Sequence, residues 1–440
     1  MVAPDSQRRV VITGIGLISP LGNSLETLGS ALAERRSGVG PFTLLPAENL
    51  PVGFAGEATE CTESIDDFGE LPKDVKKMIR KGLKIMCRET KMGVASAQRA
   101  IADATFAEGL PDPERSGVLF GSDYMLTQPS EFTAGVGHCR DENGQFDFPR
   151  WGDEGMAQVT PLWLLKYLPN MPASHIAIFN DLRGPNNSLT LRESAGLSAV
   201  GEAYRTIVRG DAEMMVAGAT GTRVHPTKTL HIILQEEFSP GHENPESACR
   251  PFDLDRDGMV LGEGAATLVL EELRSAQQRG ATIYGEVAGH ATSTVLDRDF
   301  VAHRDIALAN VMRGAMREAK IGAEKIGHVH AHGLSTRSCD VDEAKAINDV
   351  FGDRAEKVPV TAAKSYFGNL GAGSGIVELI ASLLAIRDGR LFPVLNYETP
   401  DPDCAISVAT GDDVPAGSNF VTVNVTPQGQ AAAVLVRAWK

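Results

Sequence analysis

The chain has 440 residues, 42% of them hydrophobic, with 45 Gly and 24 Pro, enough to bury a large core in two domains or one two-part unit. A formal net charge of −15 disfavours nucleic acid and anionic membrane as partners, because both repel it at long range. There is no run of about 18 apolar residues to span a bilayer. Met1 to Arg9 lacks a signal-peptide core, and Cys61, Cys87, Cys139, Cys249, Cys339 and Cys404 show no paired spacing, so a soluble cytoplasmic protein with reduced thiols is expected.

In chain order, Val10 to Thr13 is a β-branched run that meets Gly14 and Gly16, followed by a loop at Pro20 to Asn23 and a helix over Ser24 to Arg35. Gly14 to Ser19 superficially matches a dinucleotide loop, but Ser19 stands where a third glycine belongs and Pro20 discourages an immediate helix. No nucleotide site is read there. Lys73, Lys76, Lys77, Arg80, Lys81 and Lys84 fall within twelve residues of a segment that continues through Met86 to Ala102 with helical spacing. That run suits either a solvated helix face or a dock for an acidic partner. Further strands are predicted at Ser116 to Phe120, His175 to Phe179, Glu213 to Ala217, Ala265 to Leu270, His328 to Ala331, Val358 to Ala362, Phe420 to Asn424 and Ala432 to Val436. Helical periodicity marks Leu197 to Arg209, Ala307 to Ala319, Asp340 to Phe351 and Ile376 to Arg387. This alternation implies an α/β fold with substantial parallel sheet.

Asp141 to Gly155 is polar and aperiodic with three aromatics, a surface excursion. Arg250 to Gly264 is a charged, glycine-rich loop that divides the chain into residues 1–264 and 265–440. Its Asp255, Asp257 and Glu263 lack the full calcium-loop pattern and read as structural. His328, His330 and His332 alternate along a strand and share a face, a geometry compatible with zinc but more simply explained by buried hydrogen bonding around one functional ring. Neither a metal nor a cofactor is predicted.

Several motifs in order give the chain a likeness to a known family: RVVITGIGLISPLGN (Arg9 to Asn23), the stretch Gly184 to Gly196, GDAEMMVAGAT (Gly210 to Thr220), RPFDLDRDGMVLGEGA (Arg250 to Ala265), AHGLSTRSCDVDE (Ala331 to Glu343) and KSYFGNLGAGSG (Lys364 to Gly375). Together they resemble the β-ketoacyl-acyl carrier protein synthases of the thiolase superfamily. The resemblance implies a five-layered α/β/α/β/α fold of two similar halves, usually dimeric, with a site at their junction; no internal sequence repeat is visible. It also implies a nucleophilic Cys and two His, and those positions hold Glu193, His332 and Asn369. Lys364 and Glu343 match positions read as an ion pair beneath the site.

A carboxylate is a poor acyl acceptor, since attack on a thioester would give a reactive anhydride. Glu193 precedes a helix, where the dipole and free amides favour an anion. Asn369 can donate to an oxyanion but carries no proton to transfer. Pro427, within Asn424 to Gln430, stiffens a loop that is flexible and aromatic in the family. Cys339 is placed in a loop with no helix N-terminus to activate it. In similar enzymes the region of Lys73, Lys76, Lys77, Arg80 and Lys81 docks acyl carrier protein. The favoured reading is a partner resembling the chain-length factors of polyketide synthases, as a homodimer or as a heterodimer with an active synthase. The alternatives are a malonyl-thioester decarboxylase and an acyltransferase with altered chemistry. Each works on acyl carrier protein or coenzyme A thioesters.

Overall fold

The computed structural model describes residues 8–107, 109–241 and 243–439. In chain order its strands are β1 (Val10–Ile18), β2 (Val39–Pro41), β3 (Phe54–Gly56), β4 (Ser116–Ser122), β5 (Asn186–Thr190), β6 (Met214–Thr222), β7 (Glu263–Glu272), β8 (Gly285–Thr294), β9 (His328–His330), β10 (Pro359–Thr361), β11 (Ser407–Val408), β12 (Asn419–Val425) and β13 (Gln430–Arg437). The α-helices are α1 (Leu25–Ala33), α2 (Lys73–Gly82), α3 (Arg88–Asp103), α4 (Thr133–His138), α5 (Met171–Asn180), α6 (Ala195–Arg209), α7 (Pro226–Ile233), α8 (Leu273–Gln278), α9 (Arg304–Ala319), α10 (Arg337–Phe351), α11 (Lys364–Phe367) and α12 (Ser374–Asp388). No helix among the described residues is long and apolar enough to cross a membrane.

The duplication absent from the sequence is present in the topology. The main sheet runs β11-β10-β9-β12-β13-β8-β1-β7-β6-β4-β5. On one side β5, β4 and β6 are parallel and β7 and β1 follow antiparallel; on the other, β10, β9 and β12 are parallel and β13 and β8 follow antiparallel. The halves join where Val10 to Ile12 pair with Gly285 to Val287. The sheet is thus mixed, with the parallel strands confined to the outer part of each half. β7 pairs with β1 and β6, so the strand beginning at Glu263 belongs by its register with the first half.

Helices α6 and α12 pack together and touch strands of both halves, while α3 covers the first half and α9 and α10 the second. This gives the five-layered thiolase-like arrangement, with Leu197, Val200, Ile376 and Ile380 in the apolar interior of the middle layer. The β1 glycines serve packing: a Cβ on Gly14 would lie 2.3 Å from Ala100 O and one on Gly16 2.1 Å from Ser96 O, so they let α3 lie directly on the strand.

His175 to Phe179 is not a strand but part of α5. A short apolar run has no period to separate helix from strand, and here Pro172 opens the helix and left-handed Asp181 ends it. β5 and β8 lacked a sequence signal, and β5 is polar because it forms the sheet edge. The excursion around residues 141–155 is braced by short turns and by edge-to-face contacts of Trp151 with Phe132 and Phe146.

Candidate active site

β5 leads through Leu191 into a tight turn at Arg192 to Ser194, and α6 starts at Ala195. Arg192 has φ 51°, a left-handed conformation that makes this elbow sharp, and Ser194 Oγ donates to Leu191 O at 2.9 Å. The turn directs Glu193 into the interior, where it is 1% exposed. The expected backbone amides do not hold its carboxylate. Arg223 Nη2 donates to Oε1, Asn369 Nδ2 donates to the same oxygen at 3.1 Å, and Arg192 Nε lies 3.6 Å from Oε2. Burial alone would push Glu193 up; Arg223 and Arg192 outweigh it and hold the carboxyl well below the usual carboxylate range.

Arg223, fully buried at the end of β6, is the residue that sequence reasoning missed. Its Nη1 donates to Asp123 Oδ2 at 2.7 Å. Lys228 continues the chain of charge, 3.6 Å from Asp123 and 3.1 Å from Glu89 Oε1, with Nζ 4.9 Å from the Tyr124 ring centroid. Arg192 also pairs with Glu236. The space beside Glu193 is therefore occupied by a buried network of alternating charge. A strong acid placed at the elbow demands a buried cation, and that demand was the available signal for Arg223.

The second half supplies the other wall. His332 follows β9, and Glu343 of α10 accepts the backbone N–H groups of His332 and Gly333 at 2.6 and 2.8 Å. Glu343 therefore positions the His332 loop and is not the partner of Lys364. Lys364 instead pairs with Glu378 of α12, and also donates to His332 O at 2.7 Å. Asn424, read from the sequence as the end of a strand and the start of the loop that follows, is a buried residue of β12 that donates to Glu378 Oε2 at 2.8 Å. Lys364 Nζ and Asn424 Nδ2 each lie 3.2 Å from His332 Nδ1. Both are donors, so Nδ1 accepts and Nε2 carries the proton. Burial, then Lys364, holds the ring well below its ordinary pKa and hence neutral. Asn369 is oriented in turn: its Oδ1 accepts from Gly371 N at 3.0 Å and from Ser374 Oγ at 3.3 Å, leaving the amide to face Glu193.

The other two histidines are occupied by hydrogen bonds. Ala363 N–H donates to His330 Nε2 at 3.2 Å, so His330 Nδ1–H donates to Ser382 Oγ at 2.7 Å; the hydroxyl donates to His328 Nε2 at 2.9 Å, and His328 Nδ1–H to Ala416 O at 2.7 Å. Cys339 lies in the first turn of α10 and not in a loop, but burial pushes its thiol well above the ordinary value. Glu263 is tied to Arg88. Of the segment Asn424 to Gln430, Asn424 and Val425 end β12, Gln430 opens β13, and residues 426–429 form the tight connection, closed by Thr426 N donating to Gln430 O at 2.9 Å.

The duplicated fold, with its site at the junction of two halves, defines a ketosynthase-type protein. Residues 7–276 match the β-ketoacyl synthase N-terminal domain and residues 284–398 the C-terminal domain; the chain belongs to this family, whose members serve fatty acid and polyketide biosynthesis. It is 32% identical to a 3-oxoacyl-[acyl-carrier-protein] synthase 2 of Synechocystis sp., covering 95% of this chain and 94% of the relative. It is 34% identical to the protein of that name from Coxiella burnetii, covering 90% of each. Similar solved structures include a β-ketoacyl synthase from Burkholderia phymatum (TM-score 0.82, 26% identity, 98% of this chain and 100% of that one) and the ishigamide ketosynthase/chain length factor (0.78, 25%, 99% and 100%). A type II polyketide synthase carrier protein in complex with its ketosynthase has a chain that matches with TM-score 0.79 at 25% identity, covering 99% and 100%.

Proposed function

We propose that this chain is a non-condensing ketosynthase-type protein, a chain-length-factor-like partner of an active synthase in fatty acid or polyketide biosynthesis. The observation that carries the reading is the ion network around Glu193. A carboxylate held by Arg223 cannot serve as an acyl-accepting thiolate. Seating an apolar chain beside it would strip partners from Arg223, Asp123 and Lys228, whose side chains are 0% exposed. The exposed cations of α2, among them Lys73, Lys77, Arg80 and Lys81, support docking of acyl carrier protein, with Lys76 half-buried beside them. β5 ends the sheet with one edge unpaired among the described residues, which supports addition of a second chain there.

A decarboxylase reading draws on a different observation: His332 Nε2–H and the Asn369 amide are both donors, suited to an enolate oxygen. The two readings separate when the protein is purified alone and with a co-encoded synthase and given malonyl carrier protein. The partner reading expects a stable heterodimer and no carbon dioxide from the lone chain. Release by the lone chain that is abolished in His332→Ala would refute it.

A further inference from the structure

An apolar groove of about 840 Å³ lies between α2, α3 and the end of α5, on the side of α2 that carries none of its cations. That volume falls within the roughly 300–1,000 Å³ of small-molecule clefts. Val75 and Met78 of α2, Ile101 and Ala102 of α3, Ile178 of α5 and Phe106 line it. Spacings of one and three residues set these side chains along adjoining helix faces, and Met78 and Ile178 stand at the mouth, 39% and 64% exposed. Phe179 is buried among the lining side chains. Residue 82 is glycine where α2 meets that ring, since a Cβ there would lie 2.9 Å from Phe179 Cζ.

One lining side chain is out of character. Gln98 precedes Ile101 and Ala102 by one turn of α3 and is 4% exposed, yet its Nε2 makes no hydrogen bond. Buried polar atoms are seldom left without a partner, and a free amide donor in an apolar cleft calls for an acceptor on whatever fills the cleft. The charged side chains that line the groove are both acids, Glu70 and Asp181, the second paired with Arg183. On a chain of net charge −15 they disfavour an anionic head group.

We infer that this groove is a binding site for an uncharged, apolar small molecule that carries a carbonyl. Its oxygen accepts from Gln98 Nε2, and its hydrocarbon part lies along Val75, Met78, Ile101 and Phe106. The site uses no residue of the Glu193 network: Gln98 lies nine residues, about 14 Å, along α3 from Glu89. It therefore stands or falls apart from the proposed function.

The test is a ligand-observed NMR titration of the full chain with three probes of equal carbon count: the ketone valerophenone, the hydrocarbon pentylbenzene and the carboxylate phenylvalerate. The ketone should bind saturably and more tightly than the other two. Gln98→Met should weaken the ketone about 5-fold and leave pentylbenzene unchanged, because only the ketone loses a hydrogen bond. Ala102→Trp, at an exposed helix position, should fill the groove and weaken both by more than about 10-fold. Water on the Gln98 amide is the competing occupant, and it predicts equal affinity for ketone and hydrocarbon; that result overturns the inference. So does a ketone preference that survives in Gln98→Met, binding indifferent to Ala102→Trp, carboxylate binding as tight as the ketone, or no saturable binding. Gln98→Asn, which withdraws the amide by one methylene, repeats the measurement should Gln98→Met melt early.

Discussion

Replacing Arg223 by Met is the most direct test of the ion network. The guanidinium is fully buried between Asp123, 2.7 Å away, and Glu193. Its removal leaves Glu193 with Arg192 and Asn369 and leaves Asp123 with Lys228 at 3.6 Å, so two carboxylates are under-compensated in a dry interior. Breaking a buried pair of this kind costs about 3–5 kcal/mol. Glu193→Met should cost less, about 1–3 kcal/mol, because Arg223 keeps Asp123. The double variant E193M/R223M places two apolar side chains against each other and should recover at least about 2 kcal/mol relative to the sum of the single effects. Urea unfolding reads this directly, as midpoint shifts at constant slope. Additivity within about 0.5 kcal/mol would show that the two side chains do not act as a pair and would remove the physical basis of the proposed function.

Three further outcomes follow from the same geometry. Burial pushes Glu89 up to about 7, Lys228 only partly opposing it, whereas the unfolded value is about 4.3; its contribution to stability is full below the unfolded value and is lost as pH rises through about 7, so E89Q should flatten stability between those limits in pH-resolved melts. Glu193→Cys alone should remain unacylated after incubation with acyl thioesters, by intact-protein mass spectrometry, because Arg223 and Lys228 still occupy the space an acyl chain needs; a turned-over adduct would contradict this. Gly16→Ala should destabilise by about 1–3 kcal/mol in thermal melts, since its Cβ would meet Ser96 O of α3 at 2.1 Å.

The long strands were legible as apolar, β-branched runs because they are buried on both faces, and the helices because a buried face imposes a period, as along α6 and α10. β5 was hidden because an edge strand has no buried face to pattern, and α5 was misread because a five-residue run with four apolar side chains fits either period. In the site, Asn369 donates to Glu193 and His332 is near enough to act on that carboxylate electrostatically, whereas Lys364 was paired with Glu343 on the family resemblance, which does not say which of two buried acids faces the lysine. The structure gives Lys364 to Glu378, fourteen residues away across the α11–α12 turn. Arg223, Asp123 and Lys228 escaped notice because each is an isolated charge in the sequence, and only the fold brings them together around one carboxylate.

The two walls of the site have different characters, and the difference bears on function. The wall from the second half is organised for a neutral imidazole: Lys364 and Asn424 both donate toward Nδ1, Glu343 fixes the backbone of the loop, and Nε2–H is left as the free donor. The wall from the first half is organised to bind its own side chains, with Glu193, Arg223, Asp123, Lys228 and Glu89 each serving as another's counter-ion. An acyl acceptor must release its contacts to a substrate, and a closed network of buried ion pairs resists that release by several kcal/mol. The wall from the first half is therefore closed by its own ion pairs, while the wall from the second half holds a neutral imidazole donor in place.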